Sequence, residues 1–215
     1  MIRDSICKNK IIAISRGIHS DSILETAQAI YTGGIKIFEV TFIHDAIDSL
    51  RETRLSIEKL SNTMNSDFII GAGTVLTVED VKMAADSGAR FIISPDTNYP
   101  VIKETKKLDL ISIPGAMSPT EIVRAYDAGA DFVKVFPASV LGVEYIKAVK
   151  GPLKHIPLVA VGGINKDNAT AFLSAGALAL GVGGNLVDKK AIQSGNYRLL
   201  TERAQMIVEA IKLPE

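Results

Sequence analysis

The chain has 215 residues, 47% of them apolar and 22% charged, with 24 Lys+Arg against 24 Asp+Glu. That apolar content excludes a disordered chain, and a formal charge of zero argues against nucleic acid or an anionic membrane as the main partner. The single cysteine, Cys7, excludes an internal disulfide framework and reads as a small buried or terminal thiol. No apolar run approaches the ~18 residues of a membrane span, and the start, Met1 to Lys8, lacks the apolar stretch of a signal peptide. The expectation is a cytoplasmic globular protein.

Short β-rich apolar runs recur along the chain, at Ile11–Ser15, Ile35–Val40, Phe68–Gly71, Phe91–Ser94, Leu110–Pro114, Phe132–Phe136, Leu158–Val161 and Leu178–Val182. Each is nearly continuous in apolar character and bounded by Gly or Pro, as strands buried on both faces are. Helical patterns lie between them. Ser22 with Glu25 spells a capping box, Ser118-Pro119-Thr120-Glu121 combines one with proline at the first helical position, and Asn165 is placed to cap the segment running to Ala175. Four junctions share one grammar, a helix ending on glycine and an apolar strand following at once: Gly33-Gly34, Gly88-Ala89, Gly129-Ala130 and Gly176-Ala177. Eight strand–helix alternations in this length predict an α/β fold, a compact (β/α)₈ TIM barrel, as a single domain over residues 1–215. A doubly wound open sheet is the alternative, but no Gly-x-Gly-x-x-Gly follows the first strand.

In such a barrel the active site lies at the C-terminal ends of the strands. Lys134 stands inside the sixth strand, projecting with Phe132 and Phe136. A buried ammonium needs a reason, and burial lowers the pKa of lysine until the neutral amine can attack a ketone and form a Schiff base. Pairing with a buried carboxylate is the structural alternative. Glu39, inside the second strand with Ile37 and Thr41 on its face, could neutralise Lys134 or Arg16, or could shuttle protons for an imine. Arg16, just past the first strand, offers a fork suited to a carboxylate. Gly162-Gly163 and Gly183-Gly184 follow the seventh and eighth strands, where barrel loops frequently cradle phosphate with backbone N–H groups; tight turns are the other reading. His19, His44 and His155 are scattered without metal-ligand spacing, so neither a metal nor any other cofactor is expected. Met64, Met83, Met117 and Met206 read as packing or surface positions.

Phe38-Glu-Val-Thr-Phe, Gly71-Ala-Gly-Thr-Val, Ile93-Ser-Pro, Ile113-Pro-Gly, Phe132-Val-Lys-Val-Phe-Pro-Ala and Val161-Gly-Gly-Ile together resemble the 2-keto-3-deoxy-6-phosphogluconate (KDPG) and 4-hydroxy-2-oxoglutarate (KHG) aldolases, in order and over nearly the whole chain. The resemblance implies a class I, metal-free carbon–carbon lyase that splits a 2-keto-4-hydroxy acid into pyruvate and an aldehyde, glyceraldehyde 3-phosphate or glyoxylate. It implies Lys134 as the Schiff-base lysine, Glu39 as proton shuttle, and Arg16 and Thr74 around the pyruvate carboxylate. Pro95 and Phe136, inside matching segments, join the substrate-binding set, and Gly162, Gly163, Gly183 and Gly184 fall where the distal phosphate is held. A homotrimer is implied as well. The chain departs from the pattern at four places. Ile43 stands where some members carry arginine, Val161 where threonine is usual, Gly184 where serine is frequent, and Asp96 where glycine is common. The Val161-Gly-Gly-Ile-Asn region also resembles thiamine-phosphate synthase and related phosphate-binding barrels, which need no lysine in strand six; a non-catalytic phosphosugar-binding barrel is the third reading.

Overall fold

The computed structural model describes residues 2–45 and 47–212. Its strands are β1 (Ile11–Arg16), β2 (Ile37–Thr41), β3 (Ile69–Gly73), β4 (Phe91–Ile93), β5 (Ile111–Ile113), β6 (Gly115–Ala116), β7 (Val133–Val135), β8 (Leu158–Val161) and β9 (Ala179–Val182). They form one parallel sheet in the order β5-β4-β3-β2-β1-β9-β8-β7-β6. The two edges of that order are one run of chain divided by Pro114, which has no N–H to give to a ladder. Residues before it pair with β4, and those after it pair with β7, Gly115 opposite Lys134. Across the break Phe132 N donates to Ser112 O (3.2 Å) and Lys134 N to Pro114 O (2.8 Å). The sheet therefore closes, and the doubly wound alternative is set aside.

Each of the eight predicted runs holds a strand, with ends displaced by a residue or two. The third extends through Gly73, past the predicted Gly71, because its glycines continue the ladder to β2 up to Thr41. The helix-to-strand grammar holds as well: Gly34, Gly88, Gly129 and Gly176 adopt φ between 95° and 108°, the left-handed region that glycine enters without a Cβ penalty. Asp109 (φ 55°) makes the same turn before β5, which the glycine pattern missed. Helix starts are mixed. Ser118 and Glu121 form the expected capping box with Pro119 behind the cap. The Ser22–Glu25 box does not form: Ser22 makes no side-chain cap bond, and its N–H, which the Glu25 carboxylate would accept, donates to the His19 carbonyl at 3.0 Å. Asn165 caps a turn rather than the helix: its Oδ1 accepts from Asp167 N and Asn168 N, and the helix itself spans Ala169–Ser174.

Alternation along the strands divides the apolar residues into two packing groups. The outward group meets the surrounding helices. The inward group, which includes Ile12, Ile37, Phe91, Ile113, Phe132, Val159 and Ala179, fills the barrel, and Ile6 of helix Ile2–Asn9 packs into it from below. Phe91 uses the space that a side chain at Gly71 would occupy, 2.4 Å from its ring. The apolar filling stops one layer higher, where the buried Glu39 and Lys134 replace apolar side chains.

Candidate active site

The polar layer begins with Glu39 and Lys134, 2% and 6% exposed. β2 turns Glu39 inward with Ile37, and Gly73 on the neighbouring β3 leaves the room it occupies: a Cβ on Gly73 would lie 1.6 Å from Glu39 Oε1. Thr41 Oγ1 donates to Oε1 at 3.0 Å, while Oε2 is buried with no hydrogen-bond partner. An unpartnered buried carboxylate oxygen is costly unless something is meant to meet it. β7 turns Lys134 inward as the alternation requires, with Nζ 4.7 Å from the centroid of the Phe136 ring. Burial pushes the Lys134 ammonium below its ordinary pKa; Glu39 opposes this and Arg16 adds to it. Burial likewise raises the Glu39 carboxyl, against the pull of Lys134, Thr41 and Arg16. The pair thus holds an amine shifted toward its neutral, nucleophilic form and a carboxyl shifted toward its protonated form.

These residues sit at the bottom of a cavity of about 320 Å³ at the C-terminal ends of the strands. Its wall includes Arg16, Pro95, Phe136, Val161, Gly162, Gly163, Gly183 and Gly184, so nine of the ten residues expected from the sequence converge once Glu39 and Lys134 are counted among them. Thr74 is the exception. It does not line the cavity and reaches it only through Arg16, whose Nη2 donates to Thr74 Oγ1 at 3.0 Å. Asp96 does not line the cavity; its side chain is exposed and its carbonyl receives Gly115 N, so it puts no charge against a bound anion there.

The glycine pairs are anchored by groups that sequence reasoning missed. Gly162 (φ 104°) and Gly163 (φ 70°) both require the left-handed region. The Gly162 carbonyl receives Ser139 N (3.0 Å), the Gly163 carbonyl Asn168 Nδ2 (3.0 Å), and the Ile164 carbonyl Asn185 Nδ2 (2.9 Å). A trans peptide holds its C=O and N–H on opposite sides, so the Gly163 and Ile164 amides face away from those anchors. Asn185 itself lines the cavity and ties the loop after β9 to the loop after β8. An asparagine next to Gly183-Gly184 was the available signal. A larger cavity, about 490 Å³, lies against the same loops, lined among others by Asn165, Lys166, Asp188 and Arg203. It holds no buried, unpaired ionisable group comparable to Lys134 or Glu39, since Arg203 is bonded to Asp188 at 3.0 Å. Among the described residues no cluster of three or more His, Cys, Asp or Glu could hold a metal ion.

Comparison with known proteins decides the family. The model of the family described as "KDPG and KHG aldolase" matches residues 2–203. The chain belongs to the KDPG and KHG aldolase family. Its members are carbon–carbon lyases, and this aldolase resembles several of them along almost all of its length. It is 33% identical to the 2-dehydro-3-deoxy-phosphogluconate aldolase of Haemophilus influenzae over 205 residues, covering 94% of this chain and 93% of that one. It is also 33% identical to the 2-dehydro-3-deoxy-6-phosphogalactonate aldolase of Escherichia coli, covering 83% and 85%. Among solved structures, a KDPG aldolase from Legionella pneumophila, with pyruvate captured as a covalent carbinolamine intermediate, superposes with a TM-score of 0.85 at 28% identity, covering 96% of this chain and 98% of that one.

Proposed function

We propose that this aldolase is a class I, metal-independent enzyme that cleaves a 2-keto-4-hydroxy acid of the 2-keto-3-deoxy-6-phosphogluconate or 4-hydroxy-2-oxoglutarate type to pyruvate and an aldehyde, glyceraldehyde 3-phosphate or glyoxylate. The observation that carries the reading is the buried Lys134 amine, lowered in pKa by burial, facing a cavity that also holds the unpartnered Glu39 oxygen.

The substrate carboxylate pairs with the Arg16 guanidinium, which Thr74 steadies. Lys134 Nζ attacks C2, and loss of water from the carbinolamine yields a protonated imine. Glu39 takes the proton of the C4 hydroxyl, directly or through water. The electrons of the C3–C4 bond then flow into the imine, the aldehyde departs, and an enamine remains. Glu39 returns the proton to C3, and hydrolysis of the imine releases pyruvate and the free amine. The cationic imine is the electron sink, so the cleavage step needs no metal for that role. A distal phosphate is met by backbone N–H groups of Gly162, Gly163, Gly183 and Gly184. Relatives named for the gluconate and the galactonate, which differ in configuration at C4, make both epimers fit choices for the assay panel. The chain works as one barrel domain, as a homotrimer in the cytoplasm on the family resemblance. Among the described residues no helix is long and apolar enough to cross a membrane.

The test is reductive trapping. Pyruvate with borohydride is expected to leave a stable adduct on Lys134 and to abolish cleavage measured through lactate dehydrogenase, while EDTA leaves turnover unchanged. An adduct on another lysine, or turnover lost to EDTA and restored by a divalent metal, would overturn the assignment.

A further inference from the structure

His44 has no role in the chemistry above, and its isolation in the sequence suggested none. In the structure it lies in the loop after β2 and is held from three sides. Its ring stacks on the buried Phe42 ring at 6.1 Å between centroids and 22° between planes. Its Nε2 is 2.8 Å from the carbonyl oxygen of Thr74 and 3.9 Å from Asp80 Oδ2. A carbonyl only accepts, so Nε2 carries the hydrogen. Asp80 is itself buried and fixed, accepting Leu76 N and Thr77 N at 3.0 Å each.

Thr74 is the residue this arrangement restrains. Its φ is 55°, a left-handed conformation that a β-branched side chain enters only when its surroundings hold it there. The peptide that follows is clamped at both ends: His44 donates to its C=O, and its N–H, from Val75, donates to Ile93 O at 3.2 Å. On the preceding side Phe42 N holds the Gly73 carbonyl at 2.8 Å. The strained turn then presents Thr74 Oγ1 to Arg16 Nη2. Arg16 is exposed and makes no salt bridge among the described residues, its charge acting on Glu39 only through space, so this hydrogen bond is the direct contact that orients its guanidinium at the cavity wall.

We propose that His44 is a positioning residue: it holds the Thr74 carbonyl, the Thr74 hydroxyl consequently orients Arg16, and Arg16 receives the carboxylate of the 2-keto acid. The inference rests on the Schiff-base reading above. It is specific about which half of the chemistry His44 serves, the recognition of the carboxylate and not the formation of the imine.

Two ketones separate these halves. Pyruvate carries the carboxylate; acetone puts a methyl group in its place. Borohydride trapping on Lys134, followed by intact mass as a function of ketone concentration, gives half-saturation for each. For His44→Ala the half-saturating pyruvate concentration is expected to rise about tenfold, the scale of one charge-assisted hydrogen bond. Trapping at saturating pyruvate should stay within about threefold of wild type, and the acetone curve should not move. His44→Gln, whose amide can donate to the same carbonyl, should recover most of the affinity. The proposal is overturned if His44→Ala leaves pyruvate unaffected, if it weakens pyruvate and acetone equally, or if glutamine performs no better than alanine. Absence of a wild-type adduct with either ketone would overturn the Schiff-base reading itself and this inference with it.

Discussion

Gly73 holds no reacting group, yet replacing it with alanine is expected to disable the site. Its φ lies outside the left-handed region, so alanine brings no backbone strain and the effect is one of space. The added methyl would sit 1.6 Å from Glu39 Oε1, 2.1 Å from Cδ and 2.7 Å from Cγ, where real contacts stay above 3.0 Å. The carboxylate oxygen must therefore retreat by at least about 1.4 Å, in a side chain only 2% exposed that has little room to move. Retreat breaks the 3.0 Å bond from Thr41, at a cost of about 1–3 kcal/mol for a buried acceptor. At roughly 2–4 °C per kcal/mol for a chain of this size, Tm should fall by several degrees without loss of the fold. A misplacement of ~1 Å can cost about 10²-fold in rate, and a proton shuttle is worth about 10²–10⁴-fold. We expect turnover of a 2-keto-3-deoxy acid, followed through lactate dehydrogenase, to drop about 10²- to 10³-fold in Gly73→Ala. Pyruvate trapping on Lys134 should persist. The decisive arm is the pair with Glu39→Ala. If Gly73 acts through Glu39, the double variant should be no slower than Glu39→Ala alone, and more stable than Gly73→Ala. Turnover within about fivefold of wild type in Gly73→Ala, or rate reductions that multiply in the pair, would refute the reasoning.

Glu39→Gln keeps the volume and removes the charge. Turnover should fall about 10²–10⁴-fold. Burial is the main force lowering the Lys134 pKa and Glu39 opposes it, so the variant amine should be neutral at lower pH than in wild type, moving the acid limb of pyruvate trapping to lower pH; a limb that moves to higher pH would refute the coupling. At the distal end, Val161 lines the cavity and Gly184 has open space where a Cβ would go, with no left-handed φ to forbid a side chain. Val161→Thr with Gly184→Ser should therefore fold normally and raise kcat/KM for phosphorylated over unphosphorylated 2-keto acids by about ten- to a hundredfold, the scale of one hydrogen bond to a charged group. A wild type that already prefers the phosphorylated acid by more than about a thousandfold would show these positions to be neutral.

The residues legible in the sequence are those whose signal is local. Apolar runs bounded by glycine locate the strands because a strand buried on both faces must be apolar along its length, and the glycines at 34, 88, 129 and 176 mark turns that need a left-handed residue. Lys134 and Glu39 stand out because a charge inside such a run contradicts burial, and the period of two already says which neighbours each must face. What remained illegible depends on residues far apart in the chain. Nothing local says that Gly73 is small to admit Glu39, that Asn185 anchors the Ile164 carbonyl, or that His44 reaches Thr74, 30 residues on. The failed cap at Ser22 is of the same kind, since the motif states what a side chain can bond and the fold decides whether it does. Period, turns and misplaced charges are properties of the chain's local chemistry, because they follow from the backbone and from solvation. Which of the polar residues meet is a property of the closed barrel, because joining its edges through Pro114 sets the register that brings β1, β2, β7, β8 and β9 around one cavity.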